Sequence, residues 1–199
     1  MQRHCFGAIP TREQKNINSL RIIRMNTGMD KLILDACCGS RMMWFDKQNP
    51  LAVFMDIRDE ECTLCDGRNL EVHPDVVGDF RNIPFEDATF RLVVFDPPHL
   101  VRFRAAARAV ARAPCRLGAN SYTAHKYGKL FPSWETDLKQ GFNECMRVLK
   151  PEGVLIFKWN ETQIPVSHII ETFGVNPLFG HKSGKNSKTQ WMCFLKSTY

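Results

Sequence analysis

The 199-residue chain has no apolar run near the roughly 18 residues that a membrane-spanning helix needs. Residues 1–5 lack the apolar core of a secretion signal, which predicts a cytoplasmic protein with no membrane partner. Internal repeats and low-complexity linkers are absent too. A chain of this length is most simply one domain with a substantial core.

The sequence has eight cysteines but lacks the features of a disulfide framework. The chain is long for that class, and Cys37 and Cys38 are adjacent, so we expect reduced thiols. Cys62 and Cys65 form one CxxC pair with His73 nearby. Because a second pair is missing, this spacing is a weak indication of zinc, and no metal is predicted.

Acidic residues are missing from two long stretches. Residues 97–134 contain no Asp or Glu but seven Lys or Arg, and residues 172–199 contain no acid and four lysines. Ten of the 21 acids lie between Asp56 and Asp87. A polyanionic partner would explain this uneven charge. A solvated basic surface is the simpler alternative.

Short apolar runs alternate with helical or loop stretches along the chain. They predict strands at 31–35, 51–56, 75–79, 91–95, 153–159, 175–179 and 190–196. Helices are predicted at 41–47, 103–113, 133–149 (with Ser133 as N-cap) and 165–173. Residues 57–74 form a looser segment. The order predicts an α/β fold: a doubly wound, mostly parallel seven-stranded sheet with helices on both faces and an antiparallel last strand.

Four carboxylates stand at predicted carboxyl ends of strands: Asp35, Asp56, Asp79 and Asp96. Ligands of doubly wound sheets bind at this edge, where the strand order reverses. Any one of these acids could be a helix cap or a solvated loop residue. Four on one rim indicate a ligand site.

The tetrapeptide Asp96-Pro97-Pro98-His99 directly follows the apolar run 92–95. The two prolines fix the backbone and donate no N–H, so the carbonyls beside them are free to face a ligand. A carboxylate and a carbonyl held beside a flat ring suit a planar amino group, such as that of a nucleobase or an amide. The alternative is that the prolines merely end the strand.

These features together resemble the class I, Rossmann-like S-adenosylmethionine-dependent methyltransferases over about residues 30–196. The resemblance implies S-adenosyl-L-methionine as cofactor and a single domain over residues 31–199, with residues 1–30 as a candidate lid. It assigns cofactor contacts to the first loop and the next two strand ends: Asp35, Ala36, Cys37, Gly39, Asp56, Asp79 and Phe80. A dehydrogenase fits less well because GxGxxG is absent.

The family assigns separate tasks to these positions. Asp56 matches the acid that binds both ribose hydroxyls, and a carboxylate can accept two such bonds at once. Asp79 matches the acid that receives the adenine amino group, with Phe80 against the ring. The first loop departs from the usual form because it has a single glycine, Gly39, rather than two or three.

The tetrapeptide is similar to the Asp/Asn/Ser-Pro-Pro-aromatic motif of the amino-methylating branch, which implies that Asp96, Pro97, Pro98 and His99 are catalytic. In that branch the carboxylate and the first proline carbonyl accept the two N–H bonds of the acceptor amine. His99 stands where Tyr, Phe or Trp is usual, so we expect it to stack on the substrate. With an ordinary pKa near 6.5 it would also change charge near neutrality and pass on a proton. A solvated loop histidine is the alternative.

Basic residues after the motif are candidate contacts for a phosphate backbone. Arg104, Arg108 and Arg112 recur every four residues, on one face of the predicted helix 103–113. The other candidate substrate contacts are Lys126, Lys158, Asn160, Lys182 and Lys185. The chain has no room for a separate DNA-recognition domain, which favours loose specificity, a structured RNA or a partner protein that supplies recognition.

The sequence therefore predicts methyl transfer from S-adenosyl-L-methionine to an exocyclic amino group of a nucleobase, adenine favoured, in DNA or RNA. One alternative is a methyltransferase of the same branch that acts on a protein glutamine or a small-molecule amine. The other is a non-catalytic nucleic-acid-binding module on the same fold. Cofactor affinity separates the last from the others, and salt dependence of binding separates the first two.

Overall fold

The computed structural model describes residues 31–64, 67–100 and 128–197. The candidate lid, residues 1–30, lies outside them. So do the predicted helix 103–113 with its three arginines and Lys126. Those predictions stay predictions.

The described chain contains nine strands and two helices. In chain order they are β1 (Ile33–Asp35), β2 (Ala52–Asp56), β3 (Glu60–Thr63), β4 (Asn69–Val72), β5 (Val76–Val77), β6 (Phe90–Phe95), α1 (Trp134–Val148), β7 (Leu149–Asn160), α2 (Val166–Phe173), β8 (Phe179–Lys182) and β9 (Thr189–Leu195). Neither helix is long and apolar enough to cross a membrane.

Seven strands form one sheet in the order β5-β2-β1-β6-β7-β9-β8. The first five are parallel neighbours, whereas β9 runs antiparallel to both β7 and β8. The chain passes outward from β1 to β2 and β5, then returns to β6 on the other side of β1, so the strand order reverses between β1 and β6. This confirms the predicted doubly wound, mostly parallel sheet.

Strand β2 shows that both faces of the sheet are covered. Val53 and Met55 belong to the main core, which also contains the buried faces of α1 and α2. Phe54 points to the other face, where the Trp44 ring packs against it edge-on at 4.9 Å between centroids. The Arg41 guanidinium lies 3.9 Å from the Phe54 ring centroid on that side. A loop therefore covers a face for which the sequence predicted a helix.

Turns replace the predicted helix at residues 41–47. Arg41 has a left-handed φ of 54°, which interrupts a helix at its first residue. The Asp46 and Asn49 side chains each accept a backbone N–H two residues further on, at 3.0 Å. Such local side-chain bonds compete with the helical hydrogen-bond pattern, so the helix prediction was wrong.

Residues 57–74 also differ from the prediction, because β3 and β4 within them pair as an antiparallel hairpin. Leu64, Leu70 and Val72 form a small apolar cluster under this hairpin. A period-two pattern over four residues is a weak indication of a strand, which explains why the sequence analysis missed it.

Several predicted boundaries were shifted. The strand predicted at 175–179 is β8, which begins only at Phe179, because Pro177 cannot donate to a ladder. The strand predicted at 75–79 is reduced to two residues. Ser133 precedes α1 but forms no side-chain cap, and its Oγ donates instead to an Asp137 oxygen at 2.9 Å.

Candidate functional site

A cavity of about 400 Å³ lies at the carboxyl ends of β1, β2, β5 and β6. This volume is within the roughly 300–1,000 Å³ of small-molecule sites. Five segments contribute most of its walls: 36–43, 56–58, 78–81, 96–99 and 128–131. Asp137, Lys158 and Trp191 complete the lining. The reversal point of the sheet therefore opens into the cavity, as expected of a doubly wound fold.

Most of the predicted cofactor and catalytic residues line this cavity. They are Ala36, Cys37, Gly39, Asp56, Asp79, Phe80, Asp96, Pro97, Pro98 and His99, with Lys158 from the predicted substrate contacts. Asp35, Asn160, Lys182 and Lys185 are outside the lining.

The loop after β1 is tied to the end of β2. Gly39 has a left-handed φ of 50°, and its N–H donates to Asp56 Oδ2 at 2.9 Å. A Cβ built on Gly39 would have only the Arg58 guanidinium within 4 Å, at 3.7 Å. The left-handed backbone of this turn favours glycine, and the loop backbone borders open cavity.

Asp35 stabilises this loop from the protein interior. The carboxylate is fully buried and accepts bonds from the Trp44 indole N–H at 2.7 Å and the Cys37 N–H at 3.3 Å. Burial raises the pKa of Asp35 to about 7, although both hydrogen bonds oppose this rise. Asp35 therefore holds the first loop in its conformation and does not line the cavity.

Arg58 binds Asp56, the acid at the end of β2. Its backbone N–H and Nε both donate to Asp56 Oδ1 at 3.0 Å, and its Nη2 donates to Oδ2 at 3.3 Å. With the Gly39 N–H, Asp56 accepts four hydrogen bonds, which is about the capacity of a carboxylate. The acid predicted for the ribose is thus fully engaged within the protein.

Arg81 covers the acid after β5 in the same way. Its backbone N–H donates to Asp79 Oδ1 at 2.9 Å, its Nε lies 3.0 Å from both oxygens, and its Nη2 is 2.5 Å from Oδ2. Neither arginine was predicted from the sequence. The shared feature that could have revealed them is an arginine two residues after a strand-end aspartate.

Asp96 pairs with a lysine from the neighbouring strand. Phe95 and Phe157 are register partners of β6 and β7, which places Asp96 beside Lys158. Lys158 Nζ donates to Asp96 Oδ2 at 2.5 Å, and Nζ lies 5.5 Å from the centroid of the Trp191 ring. Burial raises the pKa of Asp96, against the opposing effect of the Lys158 charge.

His99 is a neutral ring at physiological pH. Burial, and secondly the Lys158 charge, lower the pKa of His99 to about 4. The prediction that this side chain changes charge near neutrality is therefore wrong, whereas an uncharged flat ring suits stacking. It lies edge-to-face with buried Trp159, at 6.4 Å between centroids.

Two glycines fix the walls around these residues. Gly128 has φ 72°, and a Cβ there would lie 3.0 Å from Pro98 Cγ, so the backbone at Gly128 packs directly on Pro98. Gly141 of α1 lets the Phe80 ring approach the helix, since a Cβ there would lie 2.4 Å from a Phe80 ring carbon. Both contacts hold cavity-lining side chains in place.

The cavity thiols are not poised as nucleophiles. Burial raises the pKa of Cys37 and of Cys38, so both remain protonated.

Next to the β3–β4 hairpin, His73 lies 2.9 Å from an Asp59 oxygen and 2.8 Å from a Glu61 oxygen. Within the described ranges, no three His, Cys, Asp or Glu side chains are grouped as metal ligands.

Three predicted substrate contacts lie outside the cavity lining, and two of them bind other side chains of the protein. Asn160 donates to Thr189 Oγ1 at 3.3 Å, which ties β7 to β9. Lys182 pairs with Glu161 at 2.9 Å. Lys185 is exposed in the loop between β8 and β9.

No family model matches the chain, and no curated protein shows significant similarity to it. Among solved structures it is similar to the PH0226 protein from Pyrococcus horikoshii OT3, with 18% identity, 85% of this chain and 84% of that chain covered, and a TM-score of 0.49. A SAM-dependent methyltransferase of the DUF858 family from Leishmania major has 12% identity, 91% and 69% coverage, and a TM-score of 0.44. The (4+2)-cyclase SpnF has 11% identity, 88% and 60% coverage, and a TM-score of 0.43. Similarities of this size assign no function to the chain.

Proposed function

We propose that this protein transfers a methyl group from S-adenosyl-L-methionine to an exocyclic amino group of a nucleobase, adenine favoured, in DNA or RNA. One observation carries the proposal. The strand-end carboxylates Asp56 and Asp79 line the same cavity as the 96–99 tetrapeptide, at the point where the strand order reverses.

The cavity residues fit this cofactor. Asp56 and Asp79 supply acceptors for the ribose hydroxyls and the adenine amino group, Phe80 supplies a ring face, and the Gly39 turn leaves open space beside the backbone. The cofactor supplies an electrophilic methyl group when bound. Every other task falls to side chains of the protein.

Cofactor binding at these acids requires that two arginines move. Each has a second carboxylate nearby to receive it: Arg58 Nη1 lies 3.7 Å from Glu60, and Arg81 Nη1 lies 3.3 Å from Asp137. The guanidinium groups can therefore exchange partners without losing all of their ionic contacts.

The tetrapeptide can orient an acceptor amine. Lys158 occupies Asp96 Oδ2, and no residue that the structure describes donates to Oδ1. Acceptance of the two amine N–H bonds by Oδ1 and the Pro97 carbonyl directs the nitrogen lone pair toward the methyl group. In the transfer that the cofactor would supply, sulfur would keep the electron pair of its bond to the methyl group. The acceptor nitrogen would become positively charged and would then lose a proton to solvent. A carboxylate stabilises this charge more than it stabilises the neutral amine.

The uneven charge of the chain supports a nucleic-acid acceptor. Lys185 and Lys188 are exposed in the loop between β8 and β9, and Trp191 of β9 lines the cavity. A base in a duplex must leave the stack to reach Asp96, so single-stranded or flipped-out bases are the expected substrates. Binding should weaken steeply with salt if phosphates are contacted.

A second candidate is an amine on a protein glutamine or a small molecule. The observation that favours it is that Lys158 and Lys182 are already paired, with Asp96 and Glu161. The third candidate, a non-catalytic binding module, is favoured by the engagement of Asp56 and Asp79 with arginines. Measured cofactor affinity and salt dependence separate the three.

The substitution Asp96→Ala tests the proposal. Turnover should fall by about 10²–10³-fold or more, since the fixed acceptor for developing charge is lost. Affinity for the cofactor, measured by calorimetry, should stay within about two-fold because Asp96 lies on the acceptor side. Glu171→Ala, on the exposed face of α2, is the control. Turnover of Asp96→Ala equal to the wild type would refute the assignment.

A further inference from the structure

We propose that Lys158 is a positioning residue that keeps Asp96 ionised and determines which of its two oxygens receives the acceptor amine. The inference rests on the proposed methyl transfer for its kinetic consequence. Its electrostatic part rests only on the arrangement of the two side chains.

The parallel pairing of β6 and β7 fixes the two groups side by side. The paired positions Phe95 and Phe157 are buried, and the next residue of each strand is Asp96 or Lys158. The side chains are 22% and 24% exposed, and Nζ to Oδ2 is 2.5 Å. The ammonium also lies 5.5 Å from the centroid of the Trp191 ring. Lys158 is thus held at one oxygen.

The surroundings of Asp96 otherwise disfavour a charge. The titratable and charged groups closest to it are Asp35 at the end of β1, Cys37 in the loop that follows, His99 on its own loop and Lys158 on β7. The same cavity is also lined by Cys38, Asp56, Arg58, Asp79, Arg81, Lys129 and Asp137. Asp35 is a second buried carboxyl, and His99 is neutral. Burial raises the pKa of Asp96, and the charge and hydrogen bond of Lys158 lower it. Among the residues that the structure describes, Lys158 is the cation in direct contact with Asp96.

The chemistry requires this ionisation. A protonated Asp96 would present an O–H donor where the amine needs an acceptor, and it would lose the negative charge that stabilises the developing ammonium. A bond from Lys158 to Oδ2 leaves Oδ1 for the acceptor. An asparagine at 96 would accept through its amide oxygen without a counter-charge, so it should depend less on Lys158.

Four variants test the inference: Lys158→Met, Lys158→Arg, Asp96→Asn, and the double variant Asp96→Asn/Lys158→Met. Lys150→Met, at the opposite end of β7, is the matched control. Two quantities are measured for each: the pH profile of kcat/KM for methyl transfer, and the carboxyl pKa of Asp96 by carbon-detected NMR, assigned with Asp96→Asn. The double variant contains no unpaired buried charge and covers the case in which Lys158→Met does not fold.

Removal of the cation should raise the carboxyl pKa, so the acid limb of the Lys158→Met profile should move up by at least about one pH unit. On the acid limb of the profile its kcat/KM should fall about tenfold or more, since one unit of pKa is tenfold in the ionised fraction there. Lys158→Arg should stay near wild type, and the double variant should exceed Lys158→Met. An unmoved acid limb and unmoved NMR titration in Lys158→Met, or a double variant no better than Lys158→Met, would overturn the inference. If the wild type methylates no amine, the proposed function fails, and the NMR titration still decides whether Lys158 keeps Asp96 ionised.

Discussion

Arg58→Ala should tighten the binding of S-adenosyl-L-methionine. In the structure the Arg58 guanidinium occupies the Asp56 oxygens on which the ribose hydroxyls would bind. Cofactor binding must break this pair, so part of its binding free energy is lost. Alanine removes the competitor and leaves the Gly39 N–H to hold the carboxylate in place.

The size of the effect follows from the exposure of the pair. Hydrogen bonds to charged groups contribute about 1.5–3 kcal/mol when buried, and exposed ion pairs about 0–1 kcal/mol. The Arg58 side chain is 22% exposed and that of Asp56 is 6% exposed, so the pair falls between these limits. A contribution of about 1–2 kcal/mol corresponds to a Kd lower by about 5- to 30-fold.

Calorimetric titration of the cofactor into wild type, Arg58→Ala and Arg58→Lys measures this directly. Arg58→Lys, with a single ammonium donor, should give an intermediate Kd. Arg91→Ala, exposed on β6, is the control. The unliganded Arg58→Ala protein should unfold at a lower temperature, and the cofactor should raise its Tm by more than it raises that of the wild type.

Weaker binding by Arg58→Ala would refute the reasoning, because it would mean that the guanidinium itself contacts the cofactor. An unchanged Kd would mean that Asp56 does not bind the ribose. Asp56→Asn distinguishes these two outcomes. It should weaken cofactor binding if Asp56 is an acceptor for the ribose, and it should leave the Kd unchanged if Asp56 does not bind the ribose.

Three other substitutions have defined outcomes. Gly128→Ala should lower the free energy of unfolding by about 1–2 kcal/mol, measured by denaturant titration, because it forces a left-handed alanine against Pro98. Gly141→Ala should displace the Phe80 ring and weaken cofactor binding in calorimetry, and overpacking of this kind costs about 1–3 kcal/mol. His99→Tyr should retain methyl transfer and His99→Ala should lose most of it. Because the pKa of His99 is lowered to about 4, its contribution to stability should be present above about pH 6.5 and be lost as the pH falls toward 4, which acid unfolding of wild type and His99→Tyr measures.

The strand-end acids could be located from the sequence because continuous apolar runs mark buried parallel strands. Parallel strands carry their carboxyl ends to one edge, so Asp56, Asp79 and Asp96 were expected to share a rim. All three line one cavity. The glycine and proline motifs could also be recognised in the sequence, because their backbone constraints are local.

The charged partners of these acids were not predictable in the same way. Lys158 is 62 residues from Asp96 in the chain, and only the register between β6 and β7 brings them together. Arg58 and Arg81 are close in sequence to their partners, but a short spacing does not indicate that a side chain will turn back onto its own strand end. The turns at 41–47 were missed because hydrogen bonds from individual side chains decided against a pattern that also suits a helix.

The most direct test of the account is transfer of labelled methyl groups from S-adenosyl-L-methionine to genomic DNA, total RNA and a protein extract in parallel, followed by nucleoside mass spectrometry. Label should appear in N6-methyladenine or another exocyclic-amine product in one of the nucleic acids, and Asp96→Ala should lose that label. A protein that binds the cofactor but labels neither nucleic acid would contradict the proposed nucleobase acceptor. Label in the protein extract alone would favour an amine of the second candidate class.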